Sequence, residues 1–376
     1  MVTNSLEQLI IDRIQREGPL TFAEYMRMAL YEPGYGYYVT GPAKMGWQGD
    51  YFTSTDVSFL FAHCVTRQLR RFWEILKRPA PFVVLEQGAG RGDLSEGIRA
   101  RAALEDADFG AALTCCGTDI HSGQDALYSR AGSSGQSKSE ALQPHVIFSN
   151  ELVDAFPVHI VQTYQSKLYE VYVDVQAEKL HEILDEPSST EVATYLDNYG
   201  IPWQTFGDHW RAEINLDAQR WMEQTARLLT GTGSRRRHGF LLTIDYGEKA
   251  RDLYTKYRRY GTLACYYRHQ LTEHPLARPG EQDLTAHVNF TALIDAGRRQ
   301  GLRLHAFTTQ RAWLSEMGID EELAQIRKRD YALIDSERAS DRGQVALLQW
   351  YNLRQRAAVL TDPSGMGNFK VLIMKS

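Results

Sequence analysis

A chain of 376 residues with 43% apolar and 24% charged side chains falls in the globular range and has enough apolar material to bury a large core. Its net charge of −5 argues against a non-specific binder of nucleic acid or anionic membrane, which needs a basic footprint to release counterions. No apolar run approaches the ~18–20 residues of a membrane span, and four cysteines are too few for a disulfide framework at this length.

The absence of a signal-peptide pattern and of an Arg/Ser-rich transit segment adds the expectation of a cytoplasmic location. Length alone fits two units or one catalytic domain with insertions. Residues 3–31 read as helices: Leu6, Leu9, Ile10 and Ile14 share a face, Gly18-Pro19 interrupts, and Thr21 with Glu24 forms a capping box for Phe22 to Leu30. Residues 31–56, with Tyr31-Glu32-Pro33-Gly34-Tyr35-Gly36-Tyr37-Tyr38 and Gly49-Asp50-Tyr51-Phe52-Thr53-Ser54, suggest a covering arm or a tyrosine-rich surface loop. From residue 82 short apolar runs alternate with helical stretches, the βαβ rhythm of a parallel sheet. The strands expected are Phe82–Glu86, Leu113–Asp119, including the adjacent Cys115-Cys116, Val146–Asn150 and Phe240–Asp245, each ending in a polar residue at the edge where open α/β sheets bind ligands. An inserted β-hairpin is expected within about 158–212, a helix over 214–230, a long irregular insertion over about 253–290, and a helix over 291–300. A strand near Leu302–Thr308, helices through about 357 and a last strand Phe369–Met374 suit an antiparallel hairpin closing the sheet. Arg235-Arg236-Arg237 reads as a solvated loop rather than a recognition patch.

The segment Val83-Val84-Leu85-Glu86-Gln87-Gly88-Ala89-Gly90-Arg91-Gly92 sets three alternate glycines between a strand and a helix. Without Cβ atoms they allow a tight turn and close ligand approach, beside the free N–H groups of a helix N-terminus. A dinucleotide fingerprint needs a third glycine at 93, where Asp93 stands. Glu86 is placed to meet an ammonium, and Asp119, ending the next strand, to meet the ribose hydroxyls of an adenosine. Asp119 alone would serve a dinucleotide equally; the set of Glu86, Gly88, Gly90, Gly92 and Asp119 favours S-adenosylmethionine, against the alternative of a turn with no ligand.

Ser149-Asn150-Glu151-Leu152-Val153-Asp154-Ala155-Phe156-Pro157 follows the strand whose end would face the transferred group. It reads as an acceptor site or as solvated turn carboxylates. Asp245, in Asp245-Tyr246-Gly247, either faces the pocket or caps the next helix. His269, Asp283 and His287 lie in a functional-looking loop, but their spacing matches no zinc signature, and no metal is expected.

These motifs together resemble the MidA-like methyltransferases, the family that includes the mitochondrial complex I assembly-factor arginine methyltransferases. The resemblance runs through Glu32-Pro33-Gly34-Tyr35-Gly36-Tyr37-Tyr38, Gly49-Asp50-Tyr51-Phe52-Thr53, the glycine turn, Asn150-Glu151 with Asp154-Ala155, Asp245-Tyr246-Gly247, Pro279-Gly280 with Asp283 to Val288, and Met366-Gly367 before Phe369-Lys370. It departs from the family at Ala89 and Asp93, at Leu152, Val153 and Phe156, and at Asp119, where the family has Glu; the changes after Glu151 bear on the acceptor. The resemblance implies an α/β, Rossmann-like seven-stranded methyltransferase sheet over 81–376, with a helical covering segment over 1–80 and inserted substrate-side elements. It implies S-adenosyl-L-methionine as cofactor, with Asp50, Thr53 and Asn150 joining the residues above. The implied activity is methylation of an arginine on a protein, such as a respiratory-complex subunit, with a homodimer as one candidate assembly. A guanidinium needs carboxylates to clamp it, a role that falls to Glu151 beside Asn150, with Asp154 or Asp283 assisting and His269 or His287 as proton acceptor. The alternatives are a methyltransferase with a small-molecule or different side-chain acceptor, an assembly chaperone that holds the cofactor structurally, and a nicotinamide dehydrogenase.

Overall fold

A computed structural model describes residues 5–40, 59–119, 143–231, 237–268, 270–336 and 341–376. The chain opens on α1 (Ser5–Glu17), the short strand β1 (Leu20–Thr21) and α2 (Phe22–Tyr31). Thr21 accepts from the Glu24 N–H and the Glu24 carboxylate accepts from the Thr21 N–H, the capping box expected of this sequence. Then come α3 (Phe59–Ile75), β2 (Phe82–Gln87), α4 (Asp93–Glu105), α5 (Ala107–Ala112), β3 (Leu113–Thr118) and β4 (Val146–Asn150). An insertion follows, comprising β5 (His159–Tyr164), β6 (Lys167–Gln176), β7 (Lys179–Asp185), α6 (Thr190–Asn198) and β8 (Arg211–Ile214). The chain returns through α7 (Leu216–Thr230), β9 (Phe240–Asp245), β10 (Gly247–Glu248) and α8 (Ala250–Leu253). Next are β11 (Ala264–Tyr267), β12 (Gln270–Thr272), β13 (Asp283–Thr285), β14 (Val288–Asn289) and α9 (Phe290–Arg299). The last part holds β15 (Arg303–Thr309), α10 (Gln310–Glu316), α11 (Ile319–Ser336), α12 (Asp341–Thr361) and β16 (Lys370–Lys375).

The central sheet has the order β15-β16-β9-β4-β2-β3. The strands β3, β2, β4 and β9 run parallel, and β16 lies antiparallel between β9 and β15. The closing hairpin with its helical insertion is as the sequence suggests. Six strands stand among the described residues; the seventh has no counterpart there, and residues 120–142 lie outside them. The chain leaves β2 toward β3 on one side and returns as β4 on the other, so the strand order reverses beside β2, where open sheets hold ligands.

Side chains alternate across this sheet. Phe82 and Val84 face a core with α3, α4 and α10, and Val83 and Leu85 face another with α7 and α9. The helix α3, placed by sequence in a covering segment ending at residue 80, therefore packs as a layer of the central sheet through Leu60, Phe61, Val65, Leu69 and Phe72. What does cover the carboxyl edge is a second body in which α1 and α2 pack on β5, β6, β11 and β13.

Two insertions differ from expectation. The segment over 158–212 is not a lone hairpin: β5, β6, β7 and β8 join β1 in a five-stranded antiparallel sheet, with Leu20 opposite Val173. That pairing crosses about 150 residues of chain, so no local pattern announces it. The polar stretch at Pro187-Ser188-Ser189 starts a helix, Ser189 capping α6 through the Val192 N–H. The segment over 253–290 is not irregular, because β12, β11 and β13 form a small sheet; strands of three or four residues are too short to show an alternation.

Phe72 of α3 stacks on Phe240 of β9 at a centroid distance of 4.1 Å, and both are fully buried. If α3 is a core layer, Phe72→Ala should destabilise the chain by about 3–5 kcal/mol. Urea unfolding measures this; a loss under about 1 kcal/mol, as for a surface position, would return α3 to a peripheral role.

Candidate functional site

The turn after β2 is built by glycines in the left-handed region, with φ of +72° at Gly88, +52° at Gly90 and +79° at Gly92, conformations that cost a side chain-bearing residue free energy. Three consecutive N–H groups tie it to the end of β3: those of Gly88 and Ala89 donate to Thr118 O at 2.9 and 3.1 Å, and that of Gly90 donates to Asp119 Oδ2 at 2.7 Å. Asp119 thus reaches the turn from the neighbouring strand, and one of its oxygens shapes the cradle. Gly92 is the N-cap of α4.

Glu86 lies beneath this turn, 6% exposed, accepting a hydrogen bond from the Ser95 hydroxyl of α4. Burial pushes its carboxyl up to about 7, against the pull of that hydroxyl. Ser95, one turn into the helix, was not singled out by sequence; its position on the α4 face toward β2 was the available signal. The groups at the turn fit S-adenosyl-L-methionine: a glycine cradle open at Gly92, where an added Cβ meets nothing within 4 Å, and carboxylates at the ends of two adjacent strands. Asp50 and Thr53 lie outside the described residues.

The next strand end holds Asn150 and Glu151. Glu151 is in the left-handed region at φ +49°, which costs on the order of 1–3 kcal/mol, and its N–H donates to Ile244 O at 2.9 Å. Asn150 Nδ2 donates to Glu151 Oε1 at 3.1 Å. The turn beyond is organised by Asp245, which neither faces the pocket nor caps the following helix. Its Oδ2 accepts from the N–H groups of Leu152, Val153 and Asp154 at 3.3, 2.9 and 3.3 Å, and its Oδ1 from that of Tyr246 at 2.9 Å. Burial, then the charge of Asp154, pushes Asp245 well above the ordinary carboxylate range.

Glu151, Asp154, Asp283 and His287 line one cavity of about 690 Å³, with Tyr38, Tyr246, Arg258, Tyr266 and Phe369 around them. Asp154 is held by the Tyr246 hydroxyl, which donates to Oδ2 at 2.6 Å, and burial raises its carboxyl to about 6. Tyr38 donates to Asp283 Oδ1 at 2.7 Å, so the tyrosine-rich segment after α2 does reach the site. Its turn is seated on the second proline-glycine motif, since a Cβ on Gly280 would come within 2.6 Å of Tyr35 O. Burial, then Arg258 and Lys370, lowers His287 to about 4, so its ring is neutral near pH 7. Tyr246 and Arg258 were not foreseen as site residues, although Tyr246 belongs to a motif that was; His269 lies outside the described residues.

A family model for S-adenosyl-L-methionine-dependent methyltransferases matches residues 64–308. The chain is 27% identical to the human mitochondrial protein arginine methyltransferase NDUFAF7 over 99% of its own length and 84% of that protein. It is 26% identical to the Drosophila melanogaster homologue over 98% and 84% of the two chains. Among solved structures, one from Burkholderia thailandensis bound to S-adenosyl-homocysteine matches with a TM-score of 0.77 and 25% identity, over 99% of this chain and 92% of that one. The curated relatives are mitochondrial, which overturns the cytoplasmic location expected from the sequence.

Two outcomes follow from the turn. Gly90→Val forces a β-branched residue into φ +52°, and calorimetry should find S-adenosylmethionine affinity down at least tenfold. Glu86, with a folded pKa of about 7 against 4.5, contributes stability that is full below about 4.5 and lost as pH rises through 7. The melting temperature of the unliganded wild type should therefore fall relative to Glu86→Gln between pH 5.5 and 8; a constant difference would sink this account of Glu86.

Proposed function

The chain belongs to this family of S-adenosyl-L-methionine-dependent methyltransferases, and we propose that its acceptor is an arginine side chain of a protein. One observation carries the acceptor reading. Among the described residues, Asp154 Oδ1, His287 Nδ1 and Thr285 Oγ1 are buried without a hydrogen-bond partner and line the same cavity as the Glu151 and Asp283 carboxylates, and Asn150 Oδ1 beside Glu151 is unpaired as well. Buried acceptors left unpaired cost about 1–3 kcal/mol each, so the cavity favours a ligand rich in donors and poor in acceptors. A guanidinium has five N–H donors, no acceptor and a permanent positive charge. The arginine methyltransferase names of the curated relatives support the same acceptor, and the family resemblance makes a respiratory-complex subunit the candidate protein.

When bound, the cofactor supplies a methyl group on a sulfonium, open to in-line attack by a nitrogen lone pair. The residues of this chain hold and orient that nitrogen, an alignment that contributes on the order of 7–11 kcal/mol in well-fitted systems. Glu151, fixed by its strained backbone and by Asn150, takes one edge of the guanidinium in a two-bond clamp. Asp154 takes the other through Oδ1, while Tyr246 keeps Oδ2 in place. The attacking nitrogen loses a proton as the new bond forms. With its carboxyl near 6, Asp154 is a better proton acceptor than His287 near 4, so the neutral His287 ring serves as a hydrogen-bond acceptor. Tyr38, Tyr266 and Phe369 wall the cavity and limit the water that would compete for the guanidinium.

Glu151→Gln should lower kcat more than tenfold with S-adenosylmethionine affinity unchanged. The assay follows labelled methyl transfer into a lysate from cells lacking this chain, with mass spectrometry locating the methyl group. Turnover within tenfold removes Glu151 from the clamp, and label on a residue other than arginine removes the acceptor reading.

A further inference from the structure

A second cavity, about 930 Å³, lies outside the acceptor site. The two are separated by the thickness of one strand. Along β11 and the residue before it, Ala264 and Tyr266 line the acceptor cavity, and Leu263 and Cys265 line the other, as the alternation of a strand dictates.

This second cavity is a groove lined by two segments. The run Leu271–Ala277 lines it continuously, and residues Lys179, Leu180 and Glu182 of β7 line it as well. Among the described residues, β12 pairs only with β11 and β7 only with β6, so each is an edge strand. Tyr260 and Leu271 belong to its lining and are 81% and 67% exposed, so both are open to a covering chain. Four carboxylates, Glu7, Glu182, Glu213 and Glu273, stand against two cations, Lys179 and Arg211, and Arg211 is already paired with Glu182.

The groove is also tied to the acceptor cavity. Glu213 accepts from the N–H groups of Thr262 and Leu263 at 2.9 and 3.1 Å and from the Thr262 hydroxyl at 2.8 Å. The same hydroxyl oxygen accepts from the His287 N–H at 3.1 Å.

We propose that this groove is a second binding site for the protein acceptor, taking an extended segment of mixed apolar and basic side chains remote in sequence from the methylated residue. The inference rests on the reading of a protein acceptor. Edge strands recruit an extended chain through main-chain hydrogen bonds and leave specificity to alternate side chains. Here the apolar ones meet Leu180, Leu271 and Tyr260, and the basic ones meet the carboxylate excess. Such a site increases affinity for the whole protein without touching the reacting nitrogen.

The test uses the full chain and a fluorescein-labelled octapeptide of alternating leucine and lysine, which carries no arginine for the acceptor cavity. Fluorescence anisotropy should detect saturable binding that falls at least tenfold in Leu271→Asp/Glu273→Lys, a surface variant whose fold is checked by circular dichroism. Binding should change less than twofold in Glu151→Gln, and a leucine and glutamate octapeptide should bind at least tenfold more weakly. No binding, equal binding of the acidic peptide, or a loss in Glu151→Gln but not in the groove variant overturns the proposal. None of these outcomes bears on where the methyl group goes, which the labelled-transfer assay reads separately.

Discussion

The buried carboxylate of Asp245 is the constraint from which the site follows. At the end of β9 it gathers the N–H groups of three successive residues from the neighbouring strand end, together with that of Tyr246. A turn leaving a buried strand exposes donors that must be paired, and here one side chain pairs those of residues 152–154, while that of Glu151 goes to Ile244 O. The consequence is geometric. With residues 152–154 gathered around Asp245, Glu151 is forced into its left-handed conformation and Asp154 is brought under the Tyr246 hydroxyl. Two acidic side chains that sequence places three positions apart are thereby delivered to one cavity.

The same logic of neighbouring strand ends builds the cofactor cradle one strand further on. There Asp119 from β3 holds Gly90 after β2, much as Asp245 after β9 holds the turn after β4. Because β3, β2, β4 and β9 are parallel and adjacent, both devices sit on the carboxyl edge of a single sheet. The strand ends supply part of the lining, with Glu151, Tyr246 and Phe369. The rest comes from the second body, whose α1 and α2 bring Tyr38 over Asp283 and whose insertion sheet pins the loop before β11 through Glu213.

How much of this was legible depended on sequence distance. The strands of the central sheet, the glycine turn and the capping box at Thr21 are local patterns, and local patterns could be read. Tyr246 on Asp154, Tyr38 on Asp283 and β1 against β6 each join segments about 90 to 250 residues apart, and nothing in either segment names its partner. The departures after Glu151 are instructive. They bear on the acceptor when read from sequence alone, yet Val153 is buried in the core under α7 and α9, and Leu152 lies against the glycine turn, 2.9 Å from where a Gly88 Cβ would stand. They are packing residues, which leaves Glu151, Asp154 and Asp283, in the cavity lining, as the side chains proposed to meet the acceptor.

One physical cause, burial, moves the groups of the cavity in opposite directions. It raises Asp154 to about 6 and lowers His287 to about 4, in each case by disfavouring the charged form. Near neutral pH the His287 ring is therefore uncharged, while Asp154 is still mostly ionised. A neutral acceptor would leave that balance as it is and would have little to pair with Asp154 Oδ1. A cation reverses it, since each carboxylate it touches becomes easier to ionise and each bond it donates becomes a charge-assisted one. Arg258, itself in the lining, and Lys370 act in the same sense on His287 by holding its ring neutral. Under the arginine acceptor proposed above, selection arises less from any single contact than from several buried acceptors that each gain a charge-assisted bond to one guanidinium.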